Sequence, residues 1–116
     1  MHEMGIALQI IDITKASIPP EHGAARVAKV HIKVGKLSAV VPDSLKFCFG
    51  VAAQDTPLAG AELVIDEIPV RGLCKDCRHT WTIAGPAFNC PRCDGGQIDL
   101  TSGRELDIDF IELAED

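Results

Sequence analysis

The sequence predicts an α+β fold in which two helices cover one face of a small three-stranded sheet. Three observations favour this fold: two stretches have helical spacing of apolar residues, three have the character of β-strands, and a cysteine-bearing insertion without either pattern precedes the last strand. The expected order is therefore α-β-α-β, the insertion, and a closing strand. The strand–helix–strand unit at 26–68 predicts parallel strands joined by a right-handed crossover, with the last strand antiparallel.

The first helix is predicted over residues 4–17. Its apolar residues recur at helical spacing, which predicts one inward face made of Met4, Ala7, Leu8 and Ile11. The segment Ile18-Pro19-Pro20 ends the helix, because a residue before proline is pushed out of the helical region.

The first strand is predicted over 26–36, where apolar and polar residues alternate as in a half-buried strand. A second helix is expected to begin at Pro42, with Asp43 or Ser44 as its cap, and to end before Thr56-Pro57. Its apolar positions have helical spacing: Leu45, Cys48, Phe49 and Ala52. Cys48 therefore reads as a small buried hydrophobic residue rather than a reactive thiol.

Two more strands are predicted from composition and alternation. Residues 63–68 are rich in β-branched residues, and in 105–110 Leu106, Ile108 and Phe110 alternate with acidic residues. The scaffold would then comprise 1–70 and 101–116, interrupted by the insertion at 71–100. That acidic alternation predicts either a solvated strand face or a surface that binds a partner.

Length and charge exclude several classes of protein. A chain of 116 residues favours one compact domain with a small appendage. No apolar run approaches the ~20 residues of a membrane helix and no basic leader is present, so we expect a cytoplasmic protein without membrane contacts. The net charge of -6 disfavours nucleic acid as a partner, and residues 61–116 carry most of the acid.

The insertion contains two cysteine pairs with the spacing C-x2-C-x12-C-x2-C, formed by Cys74, Cys77, Cys90 and Cys93. Two such turns aim four thiolates at one point, which is the ligand set of a structural Zn(II) site. Such a closed site has no open position for a substrate, so it stabilises the fold of a zinc-ribbon-like domain. His79 lies two residues beyond Cys77 and is interpreted either as a loop histidine or as a secondary contact of the zinc site.

The segment Met1-His2-Glu3 is a second arrangement with metal chemistry. The α-amine, the amide nitrogen of His2 and its imidazole lie within chelating reach of one ion. Nitrogen-rich, near-planar ligation suits Ni(II) or Cu(II) rather than Zn(II). The first helix begins almost immediately afterwards, so the terminus is tethered to the fold.

Together these features resemble the HypA/HybF family of nickel metallochaperones. The resemblance covers essentially the whole chain: Met1-His2-Glu3, the α-β-α-β scaffold with Val34-Gly35 and Ser38 before the second helix, and the cysteine pattern before the final strand. It implies that the chain is not an enzyme, that it delivers Ni(II) during maturation of [NiFe]-hydrogenase, and that its zinc is structural. It also implies as partners a maturation GTPase and the hydrogenase large-subunit precursor, with a urease connection in some organisms.

The resemblance also implies a nickel ligand set. It assigns nickel to His2 and Glu3, the latter through its main-chain nitrogen, with the Met1 amine as a further candidate. Asp43 occupies the position of an acidic residue that joins the site in some members. One departure is that residues 94–98 contain no histidine, whereas some relatives carry one after the second cysteine pair.

Two other classes of function remain as alternatives. The chain could be a zinc-ribbon adaptor that binds proteins without transferring nickel. An enzyme is disfavoured, because no nucleophile–base arrangement and no phosphate-binding glycine loop stands out.

Overall fold

The computed structural model describes residues 2–22, 25–85 and 88–114, without the side chains of His2 and His22. The residues so described form two α-helices and six strands: α1 (His2–Ser17), β1 (Val27–Gly35), α2 (Pro42–Ala52), β2 (Glu62–Ile68), β3 (Arg71–Cys74), β4 (Thr80–Thr82), β5 (Ile98–Ser102) and β6 (Leu106–Leu113). Two short 3-10 turns, Pro20–His22 and Lys36–Ser38, accompany them. The predicted scaffold of two helices and three strands is confirmed.

The chain divides into two compact units. The helical unit contains residues 1–33, 40–66 and 107–116, and the cysteine unit contains residues 34–39 and 67–106. The cysteine unit thus takes in the short segment between β1 and α2, which lies far from the cysteines in sequence. The functional domains proposed from sequence, 1–70 with 101–116 for nickel and 71–100 for zinc, stay a prediction.

Helix α1 begins at His2, two residues before the predicted start. Its buried row follows the helical repeat through Glu3, Ala7, Ile10, Ile11 and Thr14. The prediction that Leu8 faces inward is wrong, since Leu8 is exposed and the buried row includes Ile10 in its place. Apolar residues are so frequent in the first half of α1 that their helical spacing is compatible with more than one buried face of the helix.

Helix α2 begins with Pro42 in its first turn, where a missing N–H costs nothing because that position has no helical acceptor. The N-cap is Val41, without a side-chain cap, so the prediction that Asp43 or Ser44 caps the helix is wrong. Asp43 lies inside the first turn, where its negative charge interacts favourably with the positive end of the helix dipole. The inward face is confirmed at Leu45, Cys48 and Phe49, all of which are buried.

The first sheet has the strand order β2-β1-β6. The N–H of Gly35 donates to the carbonyl of Glu105 (2.7 Å) and that of Ala114 to Arg26 (2.8 Å), so β6 runs antiparallel to β1, as predicted. The direction of β2 relative to β1 stays a prediction. The alternation of β6 breaks in its middle, because Asp109 and Phe110 are both exposed while Ile108 and Ile111 are half-buried.

The exposed Phe110 ring is stacked on His31 of β1, with ring centroids 4.0 Å apart and an interplanar angle of 15°. His31 also lies 2.5 Å from a carboxylate oxygen of Glu112 through its Nε2 atom. The prediction that Phe110 continues the apolar face begun at Ile108 is therefore wrong. Its ring contacts the polar residues of β1 instead.

A second, three-stranded sheet with the order β4-β3-β5 lies in the cysteine unit. Strand β3 pairs antiparallel with both neighbours, and its register with β5 is irregular between Arg71 and Gly72. Gly72 has room only for a hydrogen, because a Cβ there would lie 3.0 Å from side-chain atoms of Ile83 and Ile98. This sheet brings the two cysteine pairs to one end of the unit.

Candidate metal centre

The four cysteines of the repeated motif form one cluster. Their Sγ atoms all lie within 4.8 Å of one another, with Cys74 and Cys93 3.5 Å apart and Cys77 and Cys90 3.6 Å apart. A tetrahedral ion with Zn–S bonds of about 2.3 Å requires sulfurs about 3.8 Å apart, so the cluster fits that ion. Cys74 and Cys90 are buried, and Cys93 is exposed.

The two cysteine turns have the same backbone hydrogen bonds. Arg78 N–H donates to the carbonyl of Cys74, and Asp94 N–H donates to that of Cys90, both at 2.8 Å. Arg78 and Asp94 both adopt the left-handed conformation, with φ of 67° and 60°. The left-handed position is therefore the fourth residue after the first cysteine of each pair, and neither turn places glycine there.

A second pair of bonds closes each turn. Cys74 N–H donates to the carbonyl of His79 (2.9 Å), and Cys90 N–H donates to that of Gly95 (3.0 Å). The glycine at 95 is required for space, since a Cβ would lie 2.6 Å from Oδ2 of Asp76 and 3.2 Å from Sγ of Cys93. The matched turns direct the sulfurs of both cysteine pairs toward one point.

The thiols of the cluster differ in acidity. Burial raises the pKa of Cys90, but the backbone amides of Cys93 and Arg92 donate to its sulfur and lower the pKa to about 7. The Gly95 amide lowers the pKa of Cys93, yet the neighbouring thiols and burial outweigh it and raise that pKa to about 12. The thiolate of Cys90 thus forms first, and its negative charge keeps the neighbouring thiols protonated. A divalent cation removes this repulsion, because it attracts all four thiolates.

His79 does not belong to the cluster of side chains that could hold a metal ion, which consists of the four cysteines. Its ring is stacked on Trp81, with centroids 5.7 Å apart and an interplanar angle of 6°. The backbone of His79 nevertheless accepts the hydrogen bond from Cys74, so this residue helps to shape the first turn. A direct contact of the His79 ring with zinc stays a prediction.

The predicted nickel ligands lie at the beginnings of the two helices. Met1 and the side chain of His2 are outside the described residues. Glu3 is only 7% exposed and belongs to the inward row of α1. Asp43 is exposed in the first turn of α2. The structure therefore describes the main chain at 2 and 3 and the carboxylate of Asp43, and the assignment of nickel to them stays a prediction.

Two features of the cysteine unit escaped the sequence interpretation. Residues 71–102 contain three short strands, which are too short for periodicity to reveal. The contact between Gly35 and Gly103 also went unnoticed: a Cβ on Gly35 would lie 2.1 Å from the backbone carbonyl of Gly103. In the sequence, the only sign of that contact was a glycine at the end of β1 and another just before β6.

Within the described ranges, no helix has both the length and the apolar character needed to cross a membrane.

Comparison with known proteins shows the family of the chain. Residues 1–113 match the family model described as hydrogenase/urease nickel incorporation, metallochaperone, HypA. The hydrogenase maturation factor HypA of Desulfosudis oleivorans is 61% identical over 115 residues, covering 99% of this chain and 100% of that protein. The HypA of Desulfatibacillum aliphaticivorans is 51% identical, covering 99% and 88%.

Solved structures share the fold. The nickel metallochaperone HypA of Helicobacter pylori superposes with a TM-score of 0.63 at 19% identity, covering 98% of each chain. A second HypA solution structure gives a TM-score of 0.70 at 21% identity, covering 98% of this chain and 97% of the other. The chain belongs to the HypA family of nickel metallochaperones, which are maturation factors for nickel incorporation and not enzymes.

Proposed function

We propose that this chain binds Ni(II) at its N-terminus and delivers it to the large-subunit precursor of a [NiFe]-hydrogenase, while a separate zinc ion stabilises the cysteine unit. The observation that carries the proposal is the family match, which begins at Met1 and so includes the Met-His-Glu segment. The class of client follows from two relatives, which are named hydrogenase maturation factors.

The start of α1 supports a nickel site made of main-chain nitrogens. The first four N–H groups of a helix have no acceptor within the helix, and α1 begins at His2. The amides of His2 and Glu3 both belong to this first turn. With the Met1 amine and the His2 imidazole they make a nitrogen-rich set suited to Ni(II).

The burial of Glu3 separates its side chain from its main chain. Because that side chain is only 7% exposed, the main-chain nitrogen is its contribution to the nickel site. Asp43 could supply a carboxylate oxygen, since it is exposed at the beginning of the helix that follows β1. Glu3 and Asp43 thus have separable roles that substitution can distinguish.

The two metals would have opposite requirements. Four thiolates fixed by two matched turns hold zinc firmly and leave no open position for exchange. An α-amine has an ordinary pKa of ~8 and an imidazole one of ~6.5. Protonation or a competing ligand can therefore displace Ni(II) from the terminal site. A carrier needs such a site, because cargo must leave. We assign regulation of this exchange to a partner GTPase of the maturation system.

The decisive experiment is a calorimetric titration of Ni(II) into zinc-loaded protein. We expect His2→Ala to weaken binding by at least about 10²-fold, whereas His22→Ala, a matched histidine control, leaves it unchanged. Equal affinity in His2→Ala and the wild-type protein would overturn the nickel assignment. The chain would then be a zinc-ribbon adaptor that binds proteins without transferring nickel.

Acetylation of the α-amine tests the terminal ligand separately. We expect the acetylated protein to lose nickel affinity while it retains its zinc. Unchanged affinity would exclude Met1 as a ligand and leave His2 in place. Asp43→Asn tests the carboxylate in the same titration, with Asp12→Asn on the exposed side of α1 as its control.

A further inference from the structure

The cysteine unit contains an apolar groove that the metal centre does not use. Its volume is about 320 Å³, and it is lined by the 3-10 turn after β1, the segment before β3 and the segment after β4. Val70 and Ile83 are its buried residues, joined by a hydrogen bond from Ile83 N–H to the carbonyl of Val70 (2.7 Å). Leu37 and Phe88 line it with exposed fractions of 42% and 40%.

The groove is held in shape by close backbone contacts. Leu37 N–H donates to the carbonyl of Gly103 (2.8 Å), which fixes the 3-10 turn. A Cβ on Gly103 would lie 2.9 Å from Val70, so this glycine brings the turn and the buried residues of the groove together. A preformed groove loses less conformational entropy when a partner binds than a flexible surface does.

The charged residue among the described lining residues is basic, whereas the chain as a whole is acidic. Lys36 lines it, and Arg71 Nη1 donates to Oγ1 of the lining residue Thr82 (2.7 Å). None of the described lining residues is acidic, although the chain has a net charge of -6. An apolar ligand that carries negative charge is therefore complementary to this groove.

We propose that this groove docks a segment of a partner protein in which large apolar residues are accompanied by Asp or Glu. An apolar side chain would lie between Leu37 and Phe88, over Val70 and Ile83. The neighbouring carboxylates would pair with Lys36 and Arg71. The proposal is independent of nickel binding, because its residues belong to the cysteine unit and none is an assigned nickel ligand.

The test uses zinc-loaded, full-length protein and two fluorescein-labelled peptides. One alternates Asp with Leu and Phe, and the other has Lys in place of every Asp. By fluorescence anisotropy we expect the acidic peptide to bind at least about tenfold more tightly than the basic one. Equal binding of both peptides, or no binding of either, would overturn the proposal.

Substitutions then locate the peptide. We expect Lys36→Glu to weaken the acidic peptide about tenfold, and Phe88→Ala to weaken it by a similar factor through lost apolar contact. Lys46→Glu, a charge reversal on the exposed side of α2, is the matched control and should change nothing. Wild-type affinity in Lys36→Glu or Phe88→Ala would refute the assignment to this groove.

Sedimentation velocity identifies a competing occupant. If the protein self-associates and Leu37→Ser abolishes the association, the groove binds a second copy and the proposed partner is wrong. A monomer at every concentration supports the partner segment. Zinc content measured in each variant shows that the cysteine unit remains folded, and the Ni(II) titration of Lys36→Glu should match that of the wild-type protein.

Discussion

The helical unit and the cysteine unit are stabilised by different means. Most buried apolar residues of the described chain belong to the helical unit, where both helices and the first sheet contribute aliphatic side chains and Phe49. In the cysteine unit the buried apolar residues are Val34, Val70, Cys74, Ile83 and Cys90. Two of these five, Cys74 and Cys90, are predicted zinc ligands. We therefore expect a cation to stabilise the smaller unit, whereas apolar packing stabilises the larger one.

The largest expected effect is the loss of a zinc ligand. Cys74→Ser or Cys93→Ser should abolish stoichiometric zinc and unfold the cysteine unit, since a structural zinc ion contributes on the order of 10–16 kcal/mol apparent free energy. Amide cross-peaks of β3, β4 and β5 should collapse in NMR spectra while those of α1 and α2 persist. Cys48→Ala is the control, because it removes a buried thiol outside the cluster. Loss of the helical far-UV signal would contradict the independence of the units.

The next effect concerns the apolar core of the helical unit. Phe49 is 2% exposed and Phe47, two residues earlier on α2, is 72% exposed. Phe49→Ala should lower the free energy of unfolding by about 3–5 kcal/mol through a cavity, with zinc content unchanged. Phe47→Ala should change it by no more than about 0.5 kcal/mol. Urea unfolding of both variants measures the difference, and similar values would mean that Phe49 is not a core residue.

A smaller effect is expected from the glycine contact in the cysteine unit. Gly35 has an ordinary extended conformation, with φ of -70°, so its requirement is for space alone. Gly35→Ala should cost about 1–3 kcal/mol, because the neighbouring backbone of Gly103 must move. Gly50→Ala in α2 meets no atom within 4 Å and should stabilise the protein by about 0.5–1 kcal/mol. Thermal unfolding shows whether each substitution raises or lowers the stability of the protein. A Gly35→Ala variant that is more stable than the wild-type protein would refute the contact.

The smallest effect is expected from a surface ion pair. Lys75 and Asp99 are 3.2 Å apart, and both side chains are more than half exposed. Asp99→Asn should reduce stability by less than about 1 kcal/mol, because solvent and salt screen such pairs. A larger loss in urea unfolding at moderate salt would show that ion pairing, in addition to zinc, stabilises the second sheet.

The sequence correctly predicted those features for which a local residue pattern is compatible with only one structure. The convergence of the two cysteine pairs agrees with the sequence prediction, because each C-x2-C turn directs two sulfurs to one side. Strand β1 was found within one residue at each end, since strict alternation fits only a half-buried strand. Cys48 is buried as its helical position predicts.

The interpretation failed where several solutions have similar local energies. Leu8 and Ile10 are equally apolar, and only packing decided which belongs to the inward row. Asp43 has the chemistry of a cap, yet α2 begins at Pro42 with Val41 as its N-cap, so Asp43 lies inside the first turn. Phe110 alternates with acidic residues in the sequence, but it is exposed and its ring is stacked on His31. The outcomes at Leu8 and Phe110 depend on residues distant in sequence.

The sequence by itself determined the two helices and the strands of the first sheet, the clustering of the four cysteines and the family, because each depends on short-range spacing that chain geometry converts directly into structure. Tertiary structure alone decided the apolar groove, the stacking of His79 on Trp81 and the contact between Gly35 and Gly103. Those features join segments that lie tens of residues apart or depend on side-chain packing. No local pattern encodes them, since close packing is a property of the folded chain as a whole.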